Sequence, residues 1–233
     1  MKRRAFIGGM AAILTSRRAP AFCIALRNGM MRPSAPPTPP LPYDAEVEYL
    51  ESTGTQVIDL GFKGSNGTSF DIIMYRPSNS DTVSFGTNSG WGRKTLYFVT
   101  GNGWLYWMYG ASVGSTYVSS SSYLVGNLRF FSVGNNVLNA ENLSTGNSYS
   151  KESTGSTPFT TDWNLCLIGT SENGSYGYSG AGTRIYYAKV DDGDNHVELI
   201  PVRKNGVGYM YDRISGDLFA NAGTGAFLYG PDK

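Results

Sequence analysis

A few short stretches hold residue types that could do chemistry. "GASVG" at 110–114 has the G-x-S-x-G spacing of a nucleophile elbow, with Ser112 in the middle. An elbow needs a strand before the serine, a helix after it and a histidine to take the proton. The residues after Gly114 are rich in Ser, Tyr and Val, and the one histidine, His196, stands in a predicted hairpin. Glycoside hydrolysis needs two carboxyl groups about 5 to 9 Å apart. No E-x-D-x-E strand is present to supply them. Glu46 and Glu48 would share one strand face, and an acid pair drawn from separate strands stays open. "DDGDNH" at 191–196 clusters Asp191, Asp192 and Asp194, which are either calcium ligands or the Asp/Gly/Asn turn of a hairpin. Cys166 in "WNLCLIG" sits on an apolar strand-like run and reads as core, not nucleophile.

Aromatic residues carry the other candidates. In "NGWLYWMYG" (102–110), Trp104, Tyr106 and Met108 share one strand face, and Leu105, Trp107 and Tyr109 share the other. One face must pack the core; the second is either buried under another layer or open to a ligand. Trp91 stands in a turn between "NSG" and "GRK". Tyr176 and Tyr178 lie in "SENGSYGYSG" (171–180), which reads as an adaptable recognition loop or a plain connector. Trp91, Trp104, Tyr106, Tyr176 and Tyr178 are therefore the expected ligand contacts.

The elements that must position these residues are strands. With 30 glycines, 16 tyrosines and only 16% charged residues, the chain suits short strands joined by polar turns. From residue 43 onward, apolar residues alternate with period two, and turn signals recur every eight to twelve residues. The expected strands are near 46–50, 56–60, 69–75, 82–86, 95–99, 104–109, 128–133, 136–141, 163–168, 183–190, 196–202, 208–212 and 217–220. The low-complexity run 111–123 is an edge strand or a long loop. No ten-residue stretch has helical periodicity. The pattern predicts an antiparallel two-sheet sandwich or jelly roll.

Residues 1–31 form a basic and partly apolar N-terminal segment, 32–42 a linker, and 43–233 the domain. Seven basic and no acidic residues precede Asp44, while the other twelve basic residues stand with all 18 acidic ones, which leaves that part at −6. Such a domain has no electrostatic footprint for nucleic acid. "MKRRAFIGGMAAIL" resembles an export signal of the twin-arginine kind, with "APA" at 19–21 as the cleavage site; the alternative is a basic anchor for a surface. "RPSAPPTPPLP" at 32–42 holds six prolines in eleven residues and reads as a stiff polyproline spacer.

"VEYLESTGTQVIDLGF" (47–62) and "GYSGAGTRIYYAKVDDGDNHVELIPVRKNGVGYMYDRISGDLFANAGTGAFLYGP" (177–231) together resemble the end signatures of concanavalin A-like, laminin-G-like jelly-roll domains of phage and gut bacterial surface proteins. The resemblance implies a strand pair at the start of the fold, and terminal strands that return side by side. It also implies a non-enzymatic binding module that recognises glycan or a surface protein, carried by an exported, cell-surface or virion-associated protein. The alternatives are a structural or decoration protein of a phage-like particle, anchored to a virion partner or to itself through residues 1–42, and a glycoside hydrolase with a scattered acid pair. No cofactor is expected, apart from calcium if Asp191, Asp192 and Asp194 bind it.

Overall fold

The computed structural model describes residues 40–78, 83–88, 95–101, 104–110, 116–119, 124–134, 136–153 and 158–233. Residues 40–233 belong to one compact unit. Its strands, in chain order, are β1 (Ala45–Glu46), β2 (Leu50–Glu51), β3 (Ile58–Ser65), β4 (Ser69–Arg76), β5 (Val83–Thr87), β6 (Thr95–Gly101), β7 (Trp104–Gly110), β8 (Thr116–Ser119), β9 (Gly126–Val133) and β10 (Val137–Asn142). They continue as β11 (Ser148–Glu152), β12 (Thr160–Leu167), β13 (Gly169–Glu172), β14 (Ser175–Tyr178), β15 (Arg184–Asp192), β16 (Asn195–Lys204), β17 (Val207–Asp212), β18 (Leu218–Phe219) and β19 (Leu228–Tyr229). The described residues contain no helix.

The reason is visible along β4, where every second residue is buried, and again along β10 and β17. A period of two leaves one face of each strand apolar, and that face must be covered by another layer. Eleven strands form the larger sheet, in the order β11-β10-β9-β4-β15-β16-β17-β18, with β1, β2 and β19 joined at its side. Eight form the smaller one, β14-β13-β5-β6-β7-β8, with β12 bonded to β5 and β3 bonded to β12. Pairing is antiparallel except for β13 with β5, which run parallel at Ser171 and Thr87. The sheets meet over a shared core. Phe70 of the larger sheet lies 4.8 Å from Phe85 of the smaller, and Phe98 stacks on Phe130 at 4.4 Å. Ring pairs at these separations add to the apolar burial that holds the layers together.

The opening motif is not a strand pair. β2 enters the larger sheet and β3 the smaller, so Ser52–Thr55 is a crossing between layers. Gln56, with no exposed surface, holds that crossing: its side-chain carbonyl accepts the Thr53 N–H at 2.7 Å and its amide donates to the Thr224 carbonyl at 3.0 Å. The C-terminal residues close the unit from the other side. β19 pairs with β2, Val47 bridges Asp232, and β1 pairs with β16.

Three readings that the sequence left open are decided. Residues 171–180 are largely a hairpin, β13–β14, not an open loop. Its two-residue turn is Asn173-Gly174, both with positive φ (49° and 79°), the conformation that matches the twist of a tight hairpin. The run 111–123 contains β8, the last strand in the order of the smaller sheet. β7 buries Leu105, Trp107 and Tyr109 in the core, but its opposite face is partly open, with Trp104 exposed and Tyr106 half-buried, so the strand is not covered on both sides.

Candidate functional site

One depression brings together polar side chains from three chain segments. It has a volume of about 260 Å³ and is bounded by Asp59 and Lys63 of β3, Asp162, Trp163 and Asn164 of β12, and Ser171, Ser175 and Tyr176 of the β13–β14 hairpin. Irregular pairing prepares it: the register between β12 and β3 shifts twice, around Asn164. Such bulges re-aim side chains. Ile168, between β12 and β13, has φ 56°. A β-branched residue rarely adopts that conformation; here it turns the corner that leads into the hairpin.

Asp59 is the centre. Its Oδ1 accepts the Gly61 N–H at 2.8 Å and the Asn164 amide N–H at 3.1 Å, and its Oδ2 accepts the Tyr176 hydroxyl at 2.9 Å. Asn164 is held in turn, because its backbone carbonyl accepts the Ser171 hydroxyl at 2.5 Å. Burial, the hydrogen bond to Asp59 and the Asp59 charge push the Tyr176 phenol up to about 12, so it remains a donor. Cys166 lies behind the cleft with no exposed surface, and burial together with the Asp59 charge pushes its thiol up to about 12. It is core, not nucleophile.

Of the expected ligand contacts among the described residues, only Tyr176 enters this cleft. Tyr178 is exposed, with its ring beside Gly223 in the C-terminal turn. Trp104 and Tyr106 are on β7, four strand positions from β14 in the same sheet, or about 19 Å at ordinary strand spacing. Trp91 and Ser112 lie outside the described residues. "DDGDNH" is the hairpin turn between β15 and β16. Asp191 bonds His196 at 2.8 Å, and Asp192 accepts the Ser65 and Thr68 hydroxyls. Among the described residues, no group of three or more His, Cys, Asp or Glu is placed to hold a metal ion. Glu46 accepts the Tyr43 hydroxyl at 3.2 Å and lies 3.9 Å from Arg213.

Asp59, Lys63 and Asn164 were not legible as site residues. Asp59 stands 105 and 117 positions from its partners Asn164 and Tyr176, and within "VIDLG" it reads as part of a strand. The one local signal was the Asn-Gly pair at 173–174, which marks the hairpin that delivers Tyr176. Two other depressions lie on the outer face of the larger sheet. In the one of about 270 Å³, Arg129 and Asp71 are joined by two hydrogen bonds of 2.8 and 2.6 Å. The other, of about 280 Å³, is lined by Ile73, Asn127, Leu143, Ser144 and Tyr186, with no carboxylate, Lys, Arg or His among them.

No protein-family model matches the sequence, and no curated protein matches it. Among solved structures, Scytalido-glutamic peptidase matches with a peptide based transition state analog (16% identity, 80% of this chain, 100% of the other, TM-score 0.39). It matches again with a transition state analog inhibitor (15%, 80%, 100%, TM-score 0.41). SCP-B, a member of the Eqolisin family of peptidases, in complex with the tripeptide Ala-Ile-His, matches at 12% identity over 69% of this chain and 92% of the other, TM-score 0.34. The matched structures are peptidases and not concanavalin A-like domains, so the family resemblance drawn from the two end segments is corrected. The functional expectations built on it fall as well: the non-enzymatic glycan or surface-binding module, the decoration protein and the glycoside hydrolase. At this identity and TM-score the likeness gives no residue here a role, and the cleft is read from its own geometry.

Proposed function

We propose that the Asp59 cleft is a hydrolytic site for a small polar substrate, with Asp59 as the proton acceptor. The observation that carries this reading is a carboxylate at an open cleft, fixed by donors from β3, β12 and β14. A carboxylate offers about four lone-pair positions, and three are taken, which leaves one for a water or hydroxyl in the cleft. Holding the acceptor in a single orientation is what general base catalysis needs before its pKa matters. Tyr176, which stays protonated, and Asn164 are positioning residues that act through Asp59. The finer description of the sandwich as a jelly roll belongs to the same proposal; the return of β19 to β2 and of β1 to β16 supports it.

The test is a hydrolysis screen of the full chain on a chromogenic acetate ester and a mixed fluorogenic peptide library. Turnover by the wild type, lowered about 10²- to 10⁴-fold in Asp59→Asn, is the expected result. Tyr176→Phe keeps the ring and should lose less. Asp59→Asn with wild-type turnover, or a folded wild type with no turnover on either substrate set, would refute the reading.

A further inference from the structure

We propose that the uncharged groove on the outer face of the larger sheet docks a polyproline II strand, and that its occupant is the proline-rich stretch 32–42 of a second copy of this chain. The inference is independent of the Asp59 cleft and of any hydrolysis there.

The groove, of about 280 Å³, is framed by elements that hold it open. Asn127 of β9 and Ile73 of β4 lie between Leu143 and Ser144, in the β10–β11 turn, and Tyr186 of β15. The turn is fastened over β9, where the Leu143 N–H donates to the Asn127 carbonyl at 2.9 Å. The Asn142 side chain caps the same turn, accepting the Ser144 and Thr145 N–H groups at 3.0 and 3.1 Å. Leu143 is thereby held 44% exposed. On the far side, Tyr186 is the extra residue of a bulge between Ile185 and Tyr187, which re-aims its ring. That ring meets Tyr49 edge-on at 5.8 Å, and its hydroxyl is bonded to Arg184.

The polar groups of the groove are neutral and uncommitted. The Asn127 side chain makes no hydrogen bond with the described residues; its oxygen is buried, and its nitrogen is the accessible end. The Ser144 hydroxyl is exposed and also without a partner among them. Apolar sides with neutral donors and no charge complement a polyproline II strand. Such a strand presents proline rings and free carbonyl acceptors, carries few N–H groups and has little conformational freedom to lose.

The chain supplies an occupant of this chemistry. Residues 32–42 hold six prolines in eleven positions, with Arg32 as the one charge. Charge complementarity favours a second copy as its source. Seven basic and no acidic residues precede Asp44, whereas the rest of the chain stands at −6, so the head of one copy is drawn to the domain of another. Each copy offers one stretch and one groove, so a reciprocal exchange closes a pair. A groove of this size covers only part of the stretch, and each contact is therefore weak.

The experiment titrates the full chain into a fluorescein-labelled peptide, RPSAPPTPPLP, read by anisotropy, with sedimentation velocity of the full chain beside it. The peptide should bind saturably, and the same peptide with every proline replaced by alanine at least about tenfold more weakly. Leu143→Asp, at an exposed position, and Asn127→Leu, which drops the amide donor, should each weaken peptide binding at least about fivefold, in variants whose melting curves match the wild type. The full chain should form a reversible dimer that excess peptide dissociates and Leu143→Asp weakens to the same degree. No saturation, equal binding of the alanine peptide, or unchanged binding by both variants would overturn the proposal. A full chain that stays monomeric well above the peptide's dissociation constant, or whose self-association ignores Leu143→Asp, would overturn the second copy as the occupant.

Discussion

Replacing Gln56 by alanine tests the reasoning on which the fold description rests. Gln56 is fully buried in the turn that carries the chain from one sheet to the other. Its side-chain carbonyl accepts the Thr53 N–H at 2.7 Å and the Ser52 hydroxyl at 3.2 Å. Its amide donates to the Thr53 hydroxyl at 2.9 Å and to the Thr224 carbonyl at 3.0 Å. Alanine removes all of these at once, but their losses are unequal. The Thr224 carbonyl keeps the Thr55 hydroxyl as a donor at 2.9 Å, so it is not orphaned. The Thr53 N–H loses its short partner inside the turn. Four lost hydrogen bonds, with the exposed Thr53 able to turn to water, place the cost at about 2–4 kcal/mol. For a unit of this size that is a fall in melting temperature of roughly 5–15 °C. Gln56→Glu sharpens the test. It keeps an acceptor for Thr53 but sets a carboxylate against the Thr224 carbonyl, so it should destabilise at neutral pH and recover partly in acid as the carboxyl is protonated. Calorimetry or thermal circular dichroism of the full chain reads both. A Gln56→Ala shift no larger than an ordinary surface substitution, about 0.5 kcal/mol, would refute the claim that this side chain locks the two ends of the unit together.

Two further outcomes follow from buried titratable groups. For Asp212, burial alone would raise the carboxyl, but the N–H groups of Glu198, Ile214 and Ser215 and the Ser215 hydroxyl outweigh it and hold it below its ordinary value of 3.8. A group depressed in the folded state stabilises fully above its unfolded value and loses that contribution as pH falls through the folded one. Asp212→Asn should therefore cost about 1–2 kcal/mol near neutral pH, with the gap closing in acid below that value, as read by melting temperature against pH. A constant gap across the range would contradict the assignment. For Cys166, buried with its thiol pushed up to about 12, a full chain bearing Cys23→Ser should show almost no reaction with Ellman's reagent when native and one equivalent in denaturant. Rapid labelling of the native protein would mean that the strand bearing Cys166 opens far more readily than its packing implies.

The amino-acid sequence by itself determined the class of the fold. The alternation along 69–76 and 207–212, and the turn residues between the runs, specify strands locally, because each residue's burial depends on its neighbours two places away. "DDGDNH" was legible as a hairpin for the same reason, since both of its strands lie within a few residues of the turn. Where sequence reasoning failed, the deciding contacts were distant. Nothing in "ESTGTQVIDLG" says that its two strands part into different sheets; the pairing of β2 with β19 and of β3 with β12 decides that. The hairpin at 171–178 was hidden because "SENGSYGY" has the glycine and serine content of a loop, although Asn173-Gly174 carries the turn signal. The cleft lay furthest out of reach. Asp59, Asn164 and Tyr176 are ordinary strand residues singly, and only the docking of β12 on β3 and the fold-back of β14 bring their polar atoms within 3.1 Å. Periodicity is a local property that a single chain can show, whereas a site is a coincidence of three distant segments, and packing alone creates it.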